Sequence, residues 1–287
     1  MSAVVSTTAT KKRFDLSRYP VAVLVSALWL VSCLSLVILL PILPLPKETA
    51  IDLVARLSPP VGFGGEWNHW LGTDDLGRDI FSRLAASLRT SLVLALGATV
   101  ISAIIGTTIG ILAAHFGGWV DQLVVAAVDA QASVPFIIIS LTLTAFFGNN
   151  LFLFIFILGL FGWERFARLS RAMTMASRGH GYVLAMNTLG FSWRRIYLRH
   201  VLPNIASTLL VTATINFPEV ILLETSLSFL GLGIQPPMSS LGNMLGFGRS
   251  YLLTGWWIAA VPGLAIFLCT LSVSIVGDWA RGVIGRT

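Results

Sequence analysis

Three carboxylates stand where carboxylates are costly. Asp129, Glu219 and Glu224 fall inside long apolar stretches, and an Asp at the centre of a hydrocarbon layer costs about 2.5–3.5 kcal/mol on insertion scales. Each must therefore face protein or a water-filled cavity. One reading makes them contacts for a solute or proton along a pathway; the other makes them acceptors for backbone and hydroxyl groups between helices. Glu219 is the sharper pathway candidate, because Pro218 before it lacks a backbone donor and is expected to open the helix at mid-span, beside Phe217. A second group, Asp74, Asp75, Arg78 and Asp79, sets three acids around one base just ahead of an apolar run. Its simplest work is to cap and fix the helix that follows, and the alternative is docking of an external protein. A third segment, 164–203, crowds seven arginines among Tyr182, Val183, Leu184, Met186, Leu189, Phe191, Trp193, Ile196 and Tyr197. That is too apolar for a solvated linker. A cytoplasmic helix-turn-helix, broken at Gly190 and stopped by Pro203, is expected there, either docking another protein through its aromatics or folded back on the chain's own helices.

Other chemistry is missing from the residue inventory. The lysines are Lys11, Lys12 and Lys47, none behind a glycine-rich loop, so no Walker A phosphate cradle can form. His69, His115, His180 and His200 are widely separated and no Cys-x-x-Cys occurs, so neither a metal site nor an enzyme is expected. Cys33 and Cys269 lie in apolar runs and read as small packing residues. A transporter without its own motor must draw energy from a partner or from an ion gradient.

The elements that must hold these residues are membrane helices. A chain that is 55% hydrophobic and 11% charged, with a mean hydropathy of +0.84, is unlike a soluble domain. Residues 21–43, 91–114 and 252–277 contain no Asp, Glu, Lys or Arg, and each is long enough to cross a hydrocarbon layer. Three interrupted runs, 122–147, 151–163 and 205–232, bring the expected count to about six spans, the fourth continuing through Glu164 and Arg165. The expected class is an all-α polytopic membrane protein. Its parts are a basic segment 1–19, a first span 20–43 kept rather than cleaved, an external segment 44–90 and a membrane core 91–287 with the inner loop 164–203. Within 44–90, Leu76, Ile80, Leu84 and Leu88 mark an amphipathic helix leading into the second span. Gly106 and Gly110 would let a neighbouring helix approach closely, and Gly117-Gly118 and Gly148-Asn149-Asn150 mark tight turns.

Basic residues set the orientation. Segments 1–19, 164–203 and 281–287 hold 13 Lys/Arg, against 6 in the equally long set 44–90 plus 233–251. The first set, with both termini, is therefore expected in the cytoplasm. This asymmetry accounts for the net charge of +6 without a nucleic-acid partner.

Four stretches carry a resemblance to a known family: Leu71-Gly-Thr-Asp-Asp-Leu-Gly-Arg-Asp79, Gly117-Gly-Trp-Val-Asp121, Gly190 through Arg199-His-Val-Leu-Pro-Asn204, and Leu227-Ser-Phe-Leu-Gly-Leu-Gly-Ile-Gln-Pro-Pro237. The chain resembles the permease subunits of binding-protein-dependent ABC importers of the dipeptide, oligopeptide and nickel class, in particular the second of their two pore subunits. The resemblance implies a type I importer permease fold in a bacterial inner membrane. It also implies assembly with a second homologous permease, two ATP-binding subunits that hold ATP and Mg, and an external solute-binding protein, with no cofactor on this chain. It marks Gly72, Thr73, Asp74, Asp75, Gly77, Arg78 and Asp79 as an external family motif. In the family a cytoplasmic Glu-Ala-Ala loop seats a short helix in the ATPase. Ala185, Gly190, Leu202 and Pro203 match that pattern, with Arg194 and Arg195 inside the loop; Leu184 replaces the Glu, Met186 the second Ala, and His200 a hydrophobic residue. The residues alone keep an alternative open, an ion-coupled transporter working through Glu219 or Glu224.

Overall fold

The computed structural model describes residues 20–42, 45–148, 150–179, 181–235 and 238–284. The expected basic segment 1–19 and Asn149 lie outside them. The regular elements among the described residues are helices, with no strand beyond an isolated bridge between Thr73 and Asp79.

Helix α1 (Val21–Leu39) follows Pro20 and is largely exposed. A platform of turns, including a 3-10 turn at Leu53–Ala55, leads to α2 (Ile80–Phe116). Asp79 starts α2 by accepting from Ser82 N and Ser82 Oγ, both at 2.8 Å. Leu76 sits in the turn before it, so the amphipathic stretch from Ile80 and the second span are one helix of 37 residues, about 55 Å long. The chain then turns at Gly117-Gly118 into α3 (Gly118–Ser133), followed by α4 (Phe136–Phe147). The expected single span 122–147 is instead bent by 92°. Pro135 is the cause: its ring disfavours helical backbone at the residue before it, and Val134 is extended at φ −109°, ψ 128°.

Helix α5 (Leu151–Gly159), capped by Asn150, does not continue through Glu164 and Arg165; the chain turns over Leu160–Gly162 and α6 (Trp163–Arg178) carries those charges. Then come α7 (Gly181–Thr188), α8 (Trp193–Ile196) and α9 (Leu202–Phe229), α8 and α9 joined by a π-helical turn at Tyr197–Val201. Pro203 therefore does not stop the hairpin. The wider turn, in which Leu202 N donates to Tyr197 O five residues back, makes room for a ring that would clash in a regular helix. Pro218 does not open α9 either; the helix runs through it, buried among its neighbours. Helix α10 (Leu241–Gly248), which the sequence reading does not anticipate, starts on a Ser240 cap, and α11 (Trp257–Ile284) closes the described chain. Among the described residues four helices are long and apolar enough to cross a membrane, or five if α3 and α4 form one broken span. The sixth expected crossing is divided between α5 and α6.

Helix α2 is the axis of the bundle, packed on α6, α9 and α5, while α11 packs on α9, α10 and α1. The main core gathers Leu94, Ala98, Phe154, Leu158, Ile221, Leu227 and Ile266. Cys33 and Cys269 meet inside it, Sγ to Sγ 3.9 Å, as free thiols joining α1 to α11. Along α2, a Cβ on Gly106 would meet Trp163 O at 2.2 Å, and one on Gly110 would meet Ser170 Oγ at 2.1 Å and Ala167 O at 2.4 Å. The Gly106 and Gly110 step is thus where the α6 backbone lies directly against α2. Gly110→Val should force the two helices apart and cost about 1–3 kcal/mol. It is expected to lower the thermal unfolding midpoint of detergent-purified protein; an unchanged midpoint would show that the contact yields freely.

Candidate functional site

The expected site residues separate into three places along α2. At the Phe116 end lies the arginine-rich hairpin. Gly190 takes φ +76°, the left-handed conformation that closes a helix, and Leu189 N donates to Ala185 O at 3.0 Å while Phe191 N reaches Met186 O at 3.1 Å. The chain thereby reverses from α7 into α8. One face of the hairpin folds back on the bundle: Val183, Ile196, Tyr197, Val201 and Ile205 are buried together, with Ile111, Met173 and Leu202 against them. Arg178 fastens this face, donating to His115 O at 2.6 Å and to Tyr197 Oη at 3.3 Å, while the His115 ring stacks on Trp193 at 4.7 Å. The other face is uncovered. Ala185, Leu189, Phe191, Trp193, Arg194, Arg195, His200 and Pro203 are exposed, with Arg195 over the Phe191 ring at 5.0 Å and Arg194 over Trp193 at 5.5 Å. One face is thus folded back on the chain's own helices and the other is left exposed.

At the Ile80 end, Asp74 organises the platform. Its carboxylate is fully buried and accepts from Leu76 N and Arg78 N at 2.9 Å, from Arg78 Nε at 2.7 Å, and from Arg83 Nη1. Asp79 also meets His69 Nδ1 at 3.1 Å. Thr73 accepts the Trp257 indole at its carbonyl, 3.0 Å away, and Asp75 accepts the Tyr251 hydroxyl at 2.9 Å; that bond holds the Tyr251 phenol above its ordinary range. Gly72 and Gly77 are buried in the turns between. The capping reading of the cluster is thus met by Asp79; Asp74 ties the platform to Arg83 of α2, Asp75 ties it to Tyr251 before α11, and Thr73 O ties it to Trp257 of α11. Arg83, which the sequence reading passed over, completes the group.

Between the two ends lie Asp129, Glu219 and Glu224, and the structure separates them. Glu224 is fully buried, accepting from Ser228 Oγ at 2.6 Å and Ser91 Oγ at 3.3 Å, and so it joins α9 to α2. Phe217 packs half-buried against the main core. Glu219 pairs with Arg165 Nη1 of α6 at 2.9 Å, and Asp129 of α3 lies 3.8 Å from Arg168 Nη2. Gln131 of α3 donates to Leu160 O at 2.8 Å and to Glu164 at 3.2 Å, and accepts from the Trp163 indole. Arg171 of α6 grips Asp121 of α3 through Nε and through Nη2, the latter at 2.5 Å. Sequence reasoning found the acids and missed their partners. The signal lies in Glu164, Arg165 and Arg168, spaced to share one face of α6, but the sequence reading extends the fourth span through Glu164 and Arg165 and counts all three in the inner loop 164–203.

Comparisons with known proteins agree with this architecture. The family described as "Binding-protein-dependent transport system inner membrane component" matches residues 106–287. The chain is 35% identical over 276 residues to an oligopeptide transport system permease protein OppC of Mycobacterium tuberculosis, covering 96% of this chain and 92% of that one. It is 34% identical over 259 residues to the probable D,D-dipeptide transport system permease protein DdpC of Escherichia coli, with 90% and 85% covered. A putative peptide permease protein of Brucella suis is 36% identical over 237 residues, with 82% and 77% covered. Among solved structures, the MetNI methionine ABC transporter in inward-facing form superposes with a TM-score of 0.56 at 19% identity, over 71% of this chain and 97% of that one.

Proposed function

Because the chain belongs to the family of binding-protein-dependent transport system inner membrane components, we propose that it is one of two homologous pore subunits of an ATP-driven importer in a bacterial inner membrane. On this reading an external binding protein delivers peptides or similar small solutes to the Asp74 end. The Gly190 hairpin faces the cytoplasm and seats its exposed face, with Leu189, Phe191 and Trp193, on an ATP-binding subunit. Two such subunits hold the ATP and Mg, since this chain has no phosphate-binding loop of its own. Alternating access follows: closure of the ATP-binding subunits tilts the hairpins and with them the spans.

The observation that carries the reading is the two-faced hairpin. Its inner face is locked to α2, α6 and α9, so force applied to its outer face passes to the bundle. Peptides are favoured as solute because the relatives bear peptide-transport names. Of the two carboxylates of the ion-coupled alternative, Glu219 is paired with Arg165, and Glu224 is fully buried on Ser228 and Ser91. The test is reconstitution. The tagged chain is expected to co-elute with a second permease and the ATP-binding subunits and to support peptide uptake into liposomes only with ATP. Uptake by liposomes that lack the ATP-binding subunits would overturn the proposal.

A further inference from the structure

The charged band beside α6 lies level with a charge-free stretch of α2. Arg165 stands between Trp163 and Phe166, the residues whose backbone and Cβ abut Gly106. Gly106 lies ten residues, roughly 15 Å, before the Phe116 end of α2 and inside its charge-free run. Even so, the side chains of Arg165 and Glu219 are 39% and 38% exposed, and those of Arg168 and Asp129 57% and 68%. A hydrocarbon surface there would be strongly disfavoured, so this face must meet water or a polar occupant. The two members of the Arg165–Glu219 pair each line a hollow. One, of about 440 Å³, is lined by Glu164, Arg165 and Arg168; the other, of about 370 Å³, by Thr214, Glu219, Thr270 and Ser274. Each is the size of a small-ligand site.

We infer that the Arg165–Glu219 ion pair is a displaceable partition in the solute path that takes the charged ends of a zwitterionic peptide. The inference rests on the peptide-importer reading above. A peptide brings one carboxylate and one ammonium, and the band offers both counter-charges. The incoming carboxylate replaces Glu219 on Arg165, the ammonium settles on the released Glu219, and no charge is left unpaired while the two hollows join. An uncharged lining would have to strip both termini of water without return.

The test uses the complete transporter with its binding protein in liposomes and trialanine as the probe. The double variant Arg165→Met/Glu219→Leu removes both charges and keeps the bulk. It is expected to co-elute with its partners yet to lower trialanine uptake roughly tenfold or more, the loss of one charge-assisted hydrogen bond. Undiminished uptake would overturn the inference, and so would loss of co-elution, which would make the pair a structural fastening. A second measurement places Leu169→Cys on the same face in a chain carrying Cys33→Ser and Cys269→Ser. Labelling by a charged methanethiosulfonate, slowed by trialanine with binding protein, is expected; absence of labelling would overturn the water-lined path. If the unmodified transporter itself ignores trialanine, the peptide reading fails, an outcome distinct from uptake that survives loss of the pair.

Discussion

Replacing Asp74 with alanine is expected to destabilise the protein by about 3–5 kcal/mol, because it removes one partner of a buried ion pair and strands the other. The carboxylate is fully buried and lies between two guanidiniums, Arg78 at 2.7 Å and Arg83, whose side chain is 10% exposed. Two backbone donors, Leu76 N and Arg78 N, lose their acceptor at the same time. The next residues carry the damage outward, since Thr73 O holds Trp257 and Asp75 holds Tyr251, so the platform would release α11 as well as α2. A lowered unfolding midpoint of the purified protein and faster trypsin cleavage between residues 45 and 79 are the expected readings. Asp74→Asn should fall between, since its oxygen still accepts from the backbone while Arg83 stays uncompensated. An alanine variant as stable as the parent would show that the platform is held by other contacts.

Much of this arrangement is legible in the amino-acid order, and the limits have physical reasons. The charge-free runs announce α1, α2 and α11 because a lipid-facing helix has no other composition open to it. The Gly106 and Gly110 spacing announces a close helix contact but not its partner, α6. Asp79 is readable as a cap because capping is local, spanning only three residues to Ser82. Local signals mislead where distant packing decides: Pro218 inside α9 and Pro203 after the π-helical turn would end an isolated helix, and neither does so here. Pro135 was equally visible and does break its helix, and nothing near it in sequence distinguishes the three cases. The roles of Asp129 and Glu219 depend on Arg168 and Arg165, which lie 39 and 54 positions away and reach them only because α6 packs on α3 and α9.

Gly190→Val should fold and still lose most of its transport. A Cβ at Gly190 would meet nothing within 4 Å, so the substitution brings no clash. Its cost is conformational: φ is +76°, and an L-residue held in the left-handed region costs about 1–2 kcal/mol, with β-branched side chains the worst tolerated. The chain relieves that strain most cheaply by letting φ turn negative, which displaces Phe191 and lifts Trp193 off the His115 ring. Helices α2, α6 and α9 stay as they are, because Val183, Ile196 and Val201 are buried independently of the turn. On the proposed reading the exposed face then no longer matches its seat on the ATP-binding subunit. Uptake by the reconstituted transporter is expected to fall roughly 5–30-fold, the population change that 1–2 kcal/mol produces, while the unfolding midpoint barely moves. Gly190→Asn is the control, since Asn enters the left-handed region readily and should restore most of the uptake. Full uptake by the valine variant would mean that the hairpin does not transmit the stroke. A loss shared equally by asparagine and valine would mean that the missing side chain, rather than the backbone turn, is what the partner requires.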